Sequence, residues 1–188
     1  MRKKITGLIS GNISVSEGLL RDQVPAIESL AAAMLRAIKK GGKILIFGNG
    51  GSASDSIHIA AELVGRFRRE REALAAIALP ANISSLTALG NDYGFERIFE
   101  RQVEALGKKG DVALGISTSG RSENVVRGVL KASRLKMKTA VLTGRKTGRL
   151  SRIADISVRV PSDNTARIQE AHSLVGHIVC EIIEDALR

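Results

Sequence analysis

The stretch Lys43-Ile44-Leu45-Ile46-Phe47 runs directly into Gly48-Asn49-Gly50-Gly51-Ser52, and it decides the fold. An apolar run of this kind is typical of a buried strand. A glycine-rich turn straight after such a strand lets the backbone approach a ligand. Ser52 is expected to cap a helix that continues to about Phe67. The stretch therefore predicts a strand, a ligand-binding loop and a helix.

The rest of the chain repeats this pattern. Apolar runs recur near residues 43–47, 74–79, 111–116, 138–142 and 155–160. The segments between them are mostly long enough for helices, which predicts a parallel sheet covered by helices on both faces. Residues 1–22 are only weakly periodic. Helices are expected over 24–38, from Ser122 to about 135 and from about Thr165 towards 188, with Asn82 and Asn91 flanking shorter ones.

Length and composition set the class of protein. The chain has 188 residues, of which 44% are hydrophobic, enough for one domain with a single core. It contains no apolar run of about 20 residues and no apolar segment after Met1, so we expect a cytoplasmic protein without a membrane span. The single cysteine, Cys180, allows no internal disulfide, and its apolar surroundings predict a buried, inert thiol.

The net charge of +10 raises the question of a nucleic-acid partner. The basic residues are scattered, and the densest cluster, residues 66–72, alternates with acids. Aromatic residues make up 3% of the chain, which leaves little surface for stacking on bases. We therefore expect neither a nucleic-acid nor a membrane partner, but a solvated basic surface that attracts anionic metabolites.

His58 and Glu62 lie four residues apart, so both side chains leave one face of the helix predicted after the glycine-rich loop. This spacing suits a divalent metal or a pair that shares acid–base work. It also suits an ordinary surface ion pair. The neighbouring ligand loop favours a functional role.

The last predicted helix places Gln169, His172 and His177 in a largely apolar run. Gln169 and His177 differ by about 80° around the helix and about 12 Å along it, so a shared metal would require both side chains to stretch. His172 is interpreted as a hydrogen-bonded structural histidine, because buried polar groups require partners.

A second loop, Gly115-Ile116-Ser117-Thr118-Ser119-Gly120-Arg121-Ser122, follows the third apolar run. Its hydroxyls and the amides that open the next helix are suited to phosphate. An ordinary helix cap would explain Ser122 but not the three hydroxyls before it. The first loop lacks the G-x-G-x-x-G spacing of a dinucleotide site, so no nucleotide cofactor is expected.

Five ordered blocks give the chain a wider resemblance. They are Gly48-Asn49-Gly50-Gly51-Ser52-Ala53, His58-x-x-Ala61-Glu62-Leu63-x-Gly65-Arg66, Leu86-Thr87-Ala88-x-Gly90-Asn91-Asp92-Tyr93-Gly94-Phe95, Gly115-Ile116-Ser117-Thr118-Ser119-Gly120, and Arg167-Ile168-Gln169-Glu170-x-His172 followed by His177. Through these blocks the sequence resembles the sugar isomerase (SIS) domain family, and in particular its members that isomerise heptose phosphates.

The resemblance implies a three-layer α/β/α fold with a five-stranded parallel, flavodoxin-like sheet in a single domain, residues 1–188. Residues 1–40 would form an N-terminal helical segment for packing in a homotetramer whose sites lie at subunit interfaces. The implied reaction interconverts sedoheptulose 7-phosphate and D-glycero-D-manno-heptose 7-phosphate, on the route to heptoses of bacterial surface glycans.

The resemblance also implies roles for particular residues. Phosphate would be held by Ser117, Thr118, Ser119 and Ser122. The sugar site would include Asn49, Gly50, Gly51, Ser52, Glu62, Arg66, Asn91, Asp92 and Gln169. One zinc ion per subunit would be held by His58, Glu62, Gln169 and His177. Glu62 and His177 would be the acid–base pair.

These roles agree with the chemistry, because moving a carbonyl between C2 and C1 requires one proton to leave carbon and another to move between oxygens. A tension remains, since a carboxylate bound to zinc is a weaker base than a free one. Two positions depart from the family pattern: Ala166, where some relatives carry an acid, and Arg121, where Asn is common.

Two other functions are compatible with the family. One is a non-catalytic scaffold resembling the protein that associates with the bacterial replication initiator, although that group lacks Glu and His at the positions of Glu62 and His177. The other is binding of a sugar phosphate for regulation.

Overall fold

The computed structural model describes residues 1–187 and contains a five-stranded parallel sheet in the order β2-β1-β3-β4-β5. The strands are β1 (Ile44–Gly48), β2 (Ala76–Ala78), β3 (Val112–Ser117), β4 (Lys138–Thr143) and β5 (Ile156–Arg159). Each of the five apolar runs therefore contains a strand, as predicted. The strand order is the flavodoxin-like one.

Eight α-helices surround the sheet within the described residues. They are α1 (Arg2–Asp22), α2 (Val24–Lys39), α3 (Gly51–Val64), α4 (Ile83–Tyr93), α5 (Ile98–Leu106), α6 (Glu123–Arg134), α7 (Arg149–Ile153) and α8 (Thr165–Asp185). None of these helices combines the length and apolar character that crossing a membrane requires. The weakly periodic N-terminus is a long helix, which agrees with the expected N-terminal helical segment.

The two faces of the sheet bury separate apolar cores, as the alternation of side chains along β1 illustrates. Ile44 and Ile46 join the core formed with α2, α3 and α8, whereas Leu45 and Phe47 join the core formed with α5 and α6. All four side chains are buried. The predicted three-layer α/β/α architecture is confirmed.

The start and end of α3 differ from the prediction. The helix begins at Gly51, and its N-cap is Gly50, whose φ of 55° is accessible to glycine without strain. Ser52 is buried in the first turn and does not cap the helix. The helix also ends at Val64 rather than near Phe67. The glycine-rich turn, not a side-chain cap, sets the start of this helix.

The predictions for the shorter helices were partly correct. Asn82 caps α4, because its side chain accepts a hydrogen bond from the Ser85 amide at 3.0 Å. Asn91 does not flank a helix and lies inside α4. Cys180 is buried and free, as predicted, and burial raises the pKa of its thiol to about 12, which disfavours the reactive thiolate.

Among the charged residues 66–72, Arg71 departs from the solvated basic surface that the scattered charges predict. Arg71 is largely buried and donates hydrogen bonds to the carbonyl oxygens of Glu62 and Leu63 at 2.7 and 2.9 Å. Its guanidinium also lies 3.3 Å from the carboxylate of Glu184 on α8. The alternation of charge in the sequence reflects pairing with α8, which sequence spacing alone does not reveal.

Candidate active site

The two predicted ligand loops leave neighbouring strands at the same edge of the sheet. Gly48 at the end of β1 is in register with Ile116 near the end of β3. The side-chain amides of Asn49 and Asn124 exchange two hydrogen bonds of 2.9 Å and join the first loop to the start of α6. Asn124 was not identified from the sequence, because its contact depends on strand order.

Hydroxyl groups converge in the second loop. Ser117 Oγ lies 2.9 Å from Ser122 Oγ and 3.4 Å from Ser119 Oγ. Gly120 allows this turn with a φ of 64°. Ser122 occupies the N-cap position of α6 but makes no side-chain capping bond. Its hydroxyl contacts that of Ser117 instead, so the explanation as an ordinary helix cap is not supported even at this residue.

A triad of potential ligand atoms joins α3 to α8. His58 Nε2 lies 3.1 Å from Glu62 Oε1 and 3.5 Å from His177 Nε2. We call these three residues the triad. Each offers one candidate ligand atom, and the three atoms all lie within 4.8 Å of one another. His58 and Glu62 are therefore within ion-pair distance of each other. The imidazole of His177 also lies beside them, although it is 115 residues further along the chain than Glu62.

Close packing of the two helices makes this approach possible. A Cβ atom on Gly176 would lie 2.9 Å from Ile59, so only glycine fits without a shift of the neighbour. The rings of His58 and His177 meet edge to face with centroids 5.0 Å apart. The ring centroid of Phe67 lies 5.7 Å from that of His177. The His177 ring therefore packs against the rings of both His58 and Phe67.

One turn before the histidines, a second contact joins the same helices. Ser173 Oγ donates a hydrogen bond of 2.7 Å to Asp55 Oδ1, whereas the buried Asp55 Oδ2 has no hydrogen-bond partner within residues 1–187. Burial raises the pKa of Asp55, although the Ser173 hydroxyl and the charges of His58 and His177 oppose this rise. No motif marks this pair in the sequence, where its only signal is its position one helical turn before each histidine.

Gln169 lies at the glycine-rich loop. A Cβ atom on Gly51 would be 2.3 Å from Gln169 Nε2, so the glycine leaves room for this amide. No hydrogen bond joins Gln169 to the triad within the part of the chain that the structure describes. Gln169 therefore connects α8 to the first loop, and its role as a metal ligand stays a prediction.

Three other predicted residues are exposed and make only local contacts. Arg66 lies 3.9 Å from Glu70, and Asn91 donates a hydrogen bond of 2.8 Å to Asp92. Among residues 1–187, no hydrogen bond or ion pair links these side chains to the triad. Their roles in sugar binding stay predictions.

His172 belongs to the core rather than to the triad. Its side chain is fully buried, and Nε2 donates to the carbonyl oxygen of Thr143 at 3.3 Å. Burial lowers the pKa of this imidazole to about 4. The geometry agrees with its interpretation as a structural histidine.

Known proteins resemble the chain over nearly its whole length. The SIS domain profile matches residues 12–144. The phosphoheptose isomerase of Aquifex aeolicus is 51% identical over 98% of this chain and 97% of its own. The phosphoheptose isomerase of Clostridium acetobutylicum is 48% identical over 100% of this chain and 96% of its own.

Solved structures agree. A phosphoheptose isomerase from Francisella tularensis superimposes with a TM-score of 0.94 at 42% identity, covering 97% of both chains. The corresponding values for the phosphoheptose isomerase of Neisseria gonorrhoeae are 0.93 and 41%, with 98% of both chains covered. The chain therefore belongs to the SIS domain family and, within it, to the phosphoheptose isomerases.

Proposed function

We propose that this protein is an aldose–ketose isomerase that converts sedoheptulose 7-phosphate into D-glycero-D-manno-heptose 7-phosphate, a precursor of the heptoses of bacterial surface glycans. The observation that carries the proposal is the meeting of Glu62 with two imidazoles, in a chain whose full-length relatives are phosphoheptose isomerases. A carboxylate and an imidazole are the groups that such proton transfers require.

In the proposed mechanism Glu62 removes the proton from the carbon next to the carbonyl group, which gives an enediolate. His177 moves a proton from the oxygen on C1 to the oxygen on C2, and Glu62 returns its proton to C2, so that the carbonyl moves from C2 to C1. Glu62 on α3 and His177 on α8 both approach His58 Nε2, at 3.1 and 3.5 Å, so the two catalytic groups share one imidazole as a neighbour. This arrangement suits a substrate whose reacting carbon and oxygens face the triad together.

The triad also has the donor set of a zinc site. Two imidazole nitrogens and one carboxylate oxygen within 4.8 Å are ligands that zinc accepts when a fourth position stays open. His58, Glu62 and His177 would hold the ion, with Gln169 as the predicted fourth protein ligand. A bound zinc ion would polarise the substrate carbonyl group. Glu62 cannot easily act as ligand and base at once, so the two roles compete.

The remaining predicted residues would bind the two ends of the substrate. The hydroxyl cluster of the second loop would hold the phosphate, together with Thr118. The first loop and its neighbours would line the sugar, namely Asn49, Gly50, Gly51, Ser52, Arg66, Asn91, Asp92 and Gln169.

We also propose that the chain is a single SIS domain that works as a cytoplasmic homotetramer. Helix α1 supports this proposal, because four of its apolar side chains are about half exposed: Ile5, Leu8, Ile9 and Ile13. Such a row of apolar residues is suited to packing against another subunit. A site at the subunit interface would bring the exposed Asn91 and Asp92 of one subunit to the triad of another.

The scaffold function is not favoured. The full-length relatives above are isomerases, and both Glu62 and His177 are present and converge. Regulatory binding without turnover is compatible with the hydroxyl cluster but leaves this convergence without a purpose.

The proposal is tested by incubating the purified protein with sedoheptulose 7-phosphate and following the aldose product by NMR. We expect the aldose phosphate to form, and a chelator to slow its formation unless zinc is restored. Binding without product would support the regulatory function, and neither binding nor product would support the scaffold.

A further inference from the structure

A cavity of about 240 Å³ opens beside the hydroxyl cluster, and basic residues surround it. Thr118 and Ser119 of the second loop form one wall. Arg121 lies at the end of that loop, and Arg145 and Lys146 come from the loop between β4 and α7. Ser119 belongs both to the cavity wall and to the hydroxyl cluster, so an anion held by these hydroxyls would border the cavity that the cations line.

The positive charge around the cavity is only partly compensated. The side chain of Arg145 already has partners within the protein, since it donates a hydrogen bond to the carbonyl oxygen of Pro161 and lies 3.9 Å from the carboxylate of Asp163. The side chains of Arg121 and Lys146 have no hydrogen bond or ion pair to any of residues 1–187. Two uncompensated cations therefore border a cavity with polar walls, an arrangement that an anionic ligand would stabilise.

The hydroxyl cluster needs such partners. Serine hydroxyls can donate hydrogen bonds to a phosphate ester but carry no charge, whereas the ester carries up to about two negative charges at neutral pH. An arginine guanidinium matches phosphate oxygens with two parallel hydrogen bonds, and a lysine ammonium acts as a point charge. Arg121 is also fixed to the loop, because its backbone N–H lies 3.3 Å from Ser119 Oγ.

We propose that Arg121 and Lys146 are the cationic partners of the substrate phosphate and restrict this site to phosphorylated sugars. The inference rests on the proposed isomerase function and adds two residues to the four hydroxyl side chains predicted to bind phosphate. Both residues bind and position the substrate and take no part in proton transfer.

The test compares the wild type with Arg121→Gln, Lys146→Gln and the double variant. Arg134→Gln is the matched control, because Arg134 lies at the opposite end of α6 and its loss removes the same charge. We expect KM for sedoheptulose 7-phosphate to rise about tenfold in each single variant, with kcat within about twofold of the wild type. KM should also depend less on salt in the variants. Arg121→Lys should recover part of the loss, and Arg134→Gln should behave as the wild type does.

A second measurement does not require turnover. Titration calorimetry with inorganic phosphate should give weaker binding to Arg121→Gln and Lys146→Gln than to the wild type and the Arg134→Gln control. Unchanged KM, salt dependence and phosphate affinity in the double variant would overturn the inference, as would a fall in kcat at constant KM. If the wild type does not isomerise the sugar but binds phosphate through these two residues, the proposed function fails and the phosphate assignment stands.

Discussion

At the scale of single residues, the proposed chemistry depends on Glu62 and His177. We expect Glu62→Gln and His177→Ala each to lower turnover about 100-fold or more, because each removes a group that moves a proton. Steady-state rates on sedoheptulose 7-phosphate measure this effect, and circular dichroism checks the fold. Glu28→Gln, an exposed change on α2, should retain full activity. An active double variant of Glu62 and His177 would remove both residues from the mechanism.

His172 gives a separate prediction about pH. Its pKa is about 4 in the folded protein against 6.5 for an ordinary histidine, so the unfolded chain takes up a proton first as the pH falls. Above pH 6.5 this residue therefore does not change the free energy of unfolding. Between pH 6.5 and about pH 4 the free energy of unfolding decreases, and at about pH 5 it is about 2 kcal/mol lower than at neutral pH.

The variant His172→Gln lacks this titration. Its free energy of unfolding, measured by urea denaturation, should fall by about 2 kcal/mol less than that of the wild type between neutral pH and about pH 5. Equal pH dependence in the two proteins would show that His172 does not remain neutral in the folded state.

The residues of the site could be predicted from the sequence only in part. The spacing of His58 and Glu62 indicated a shared helical face, but it did not distinguish a site from a surface ion pair. His177 becomes their neighbour through the packing of α3 on α8, which no local pattern encodes. Asp55, Ser173 and Asn124 could not be identified from the sequence for the same reason, since their partners are distant along the chain.

At the scale of elements, Glu184 on α8 holds the segment that follows α3. Its carboxylate accepts hydrogen bonds from the backbone amides of Phe67, Arg68 and Arg69 at 3.0, 2.8 and 3.0 Å. Burial alone would raise the pKa of Glu184, but these amides and the charge of Arg71 outweigh burial and hold it below its ordinary value. The segment carries Phe67, which packs on His177, so this contact also supports the triad.

We expect Glu184→Gln to lower the free energy of unfolding by about 2–4 kcal/mol, because the variant loses charge-assisted bonds and leaves Arg71 buried without its partner. Glu181→Gln is the matched control: Glu181 pairs with Arg68 at the surface, and its loss should cost less than about 1 kcal/mol. Chemical denaturation at neutral pH measures both. Because the pKa of Glu184 is lowered, the difference should shrink as the pH falls below 4.5. Equal losses in the two variants would contradict this role.

The elements themselves were largely predictable, for a physical reason. Strands buried on both faces must be apolar along their whole length, so the runs at 43–47 and 111–116 stand out in the sequence. The start of α3 was less predictable, because the backbone conformation of Gly50 sets it. The pairing of residues 66–72 with α8 is a tertiary contact. From sequence alone, a charged segment that forms ion pairs cannot be distinguished from one that is solvated.

At the scale of the whole molecule, the basic surface and the apolar face of α1 have opposite effects on association between chains. A net charge of +10 favours solubility and attraction of anionic substrates. The exposed row of α1 favours association, since Ile9 and Ile13 are 56% and 53% exposed in the single chain. Assembly through α1 would cover these apolar side chains and leave most of the charged surface in water.

We expect Ile9→Glu with Ile13→Glu to prevent the proposed assembly into a homotetramer, because two carboxylates would have to be buried at the interface. Light scattering after size-exclusion chromatography should give a lower mass than that of the wild type, and activity should fall with it if Asn91 and Asp92 serve the triad of a neighbouring subunit. Ser14→Glu, on the opposite side of α1, is the control and should retain the wild-type mass. An unchanged mass would refute assembly through α1, and a fully active monomer would place the complete site within one chain.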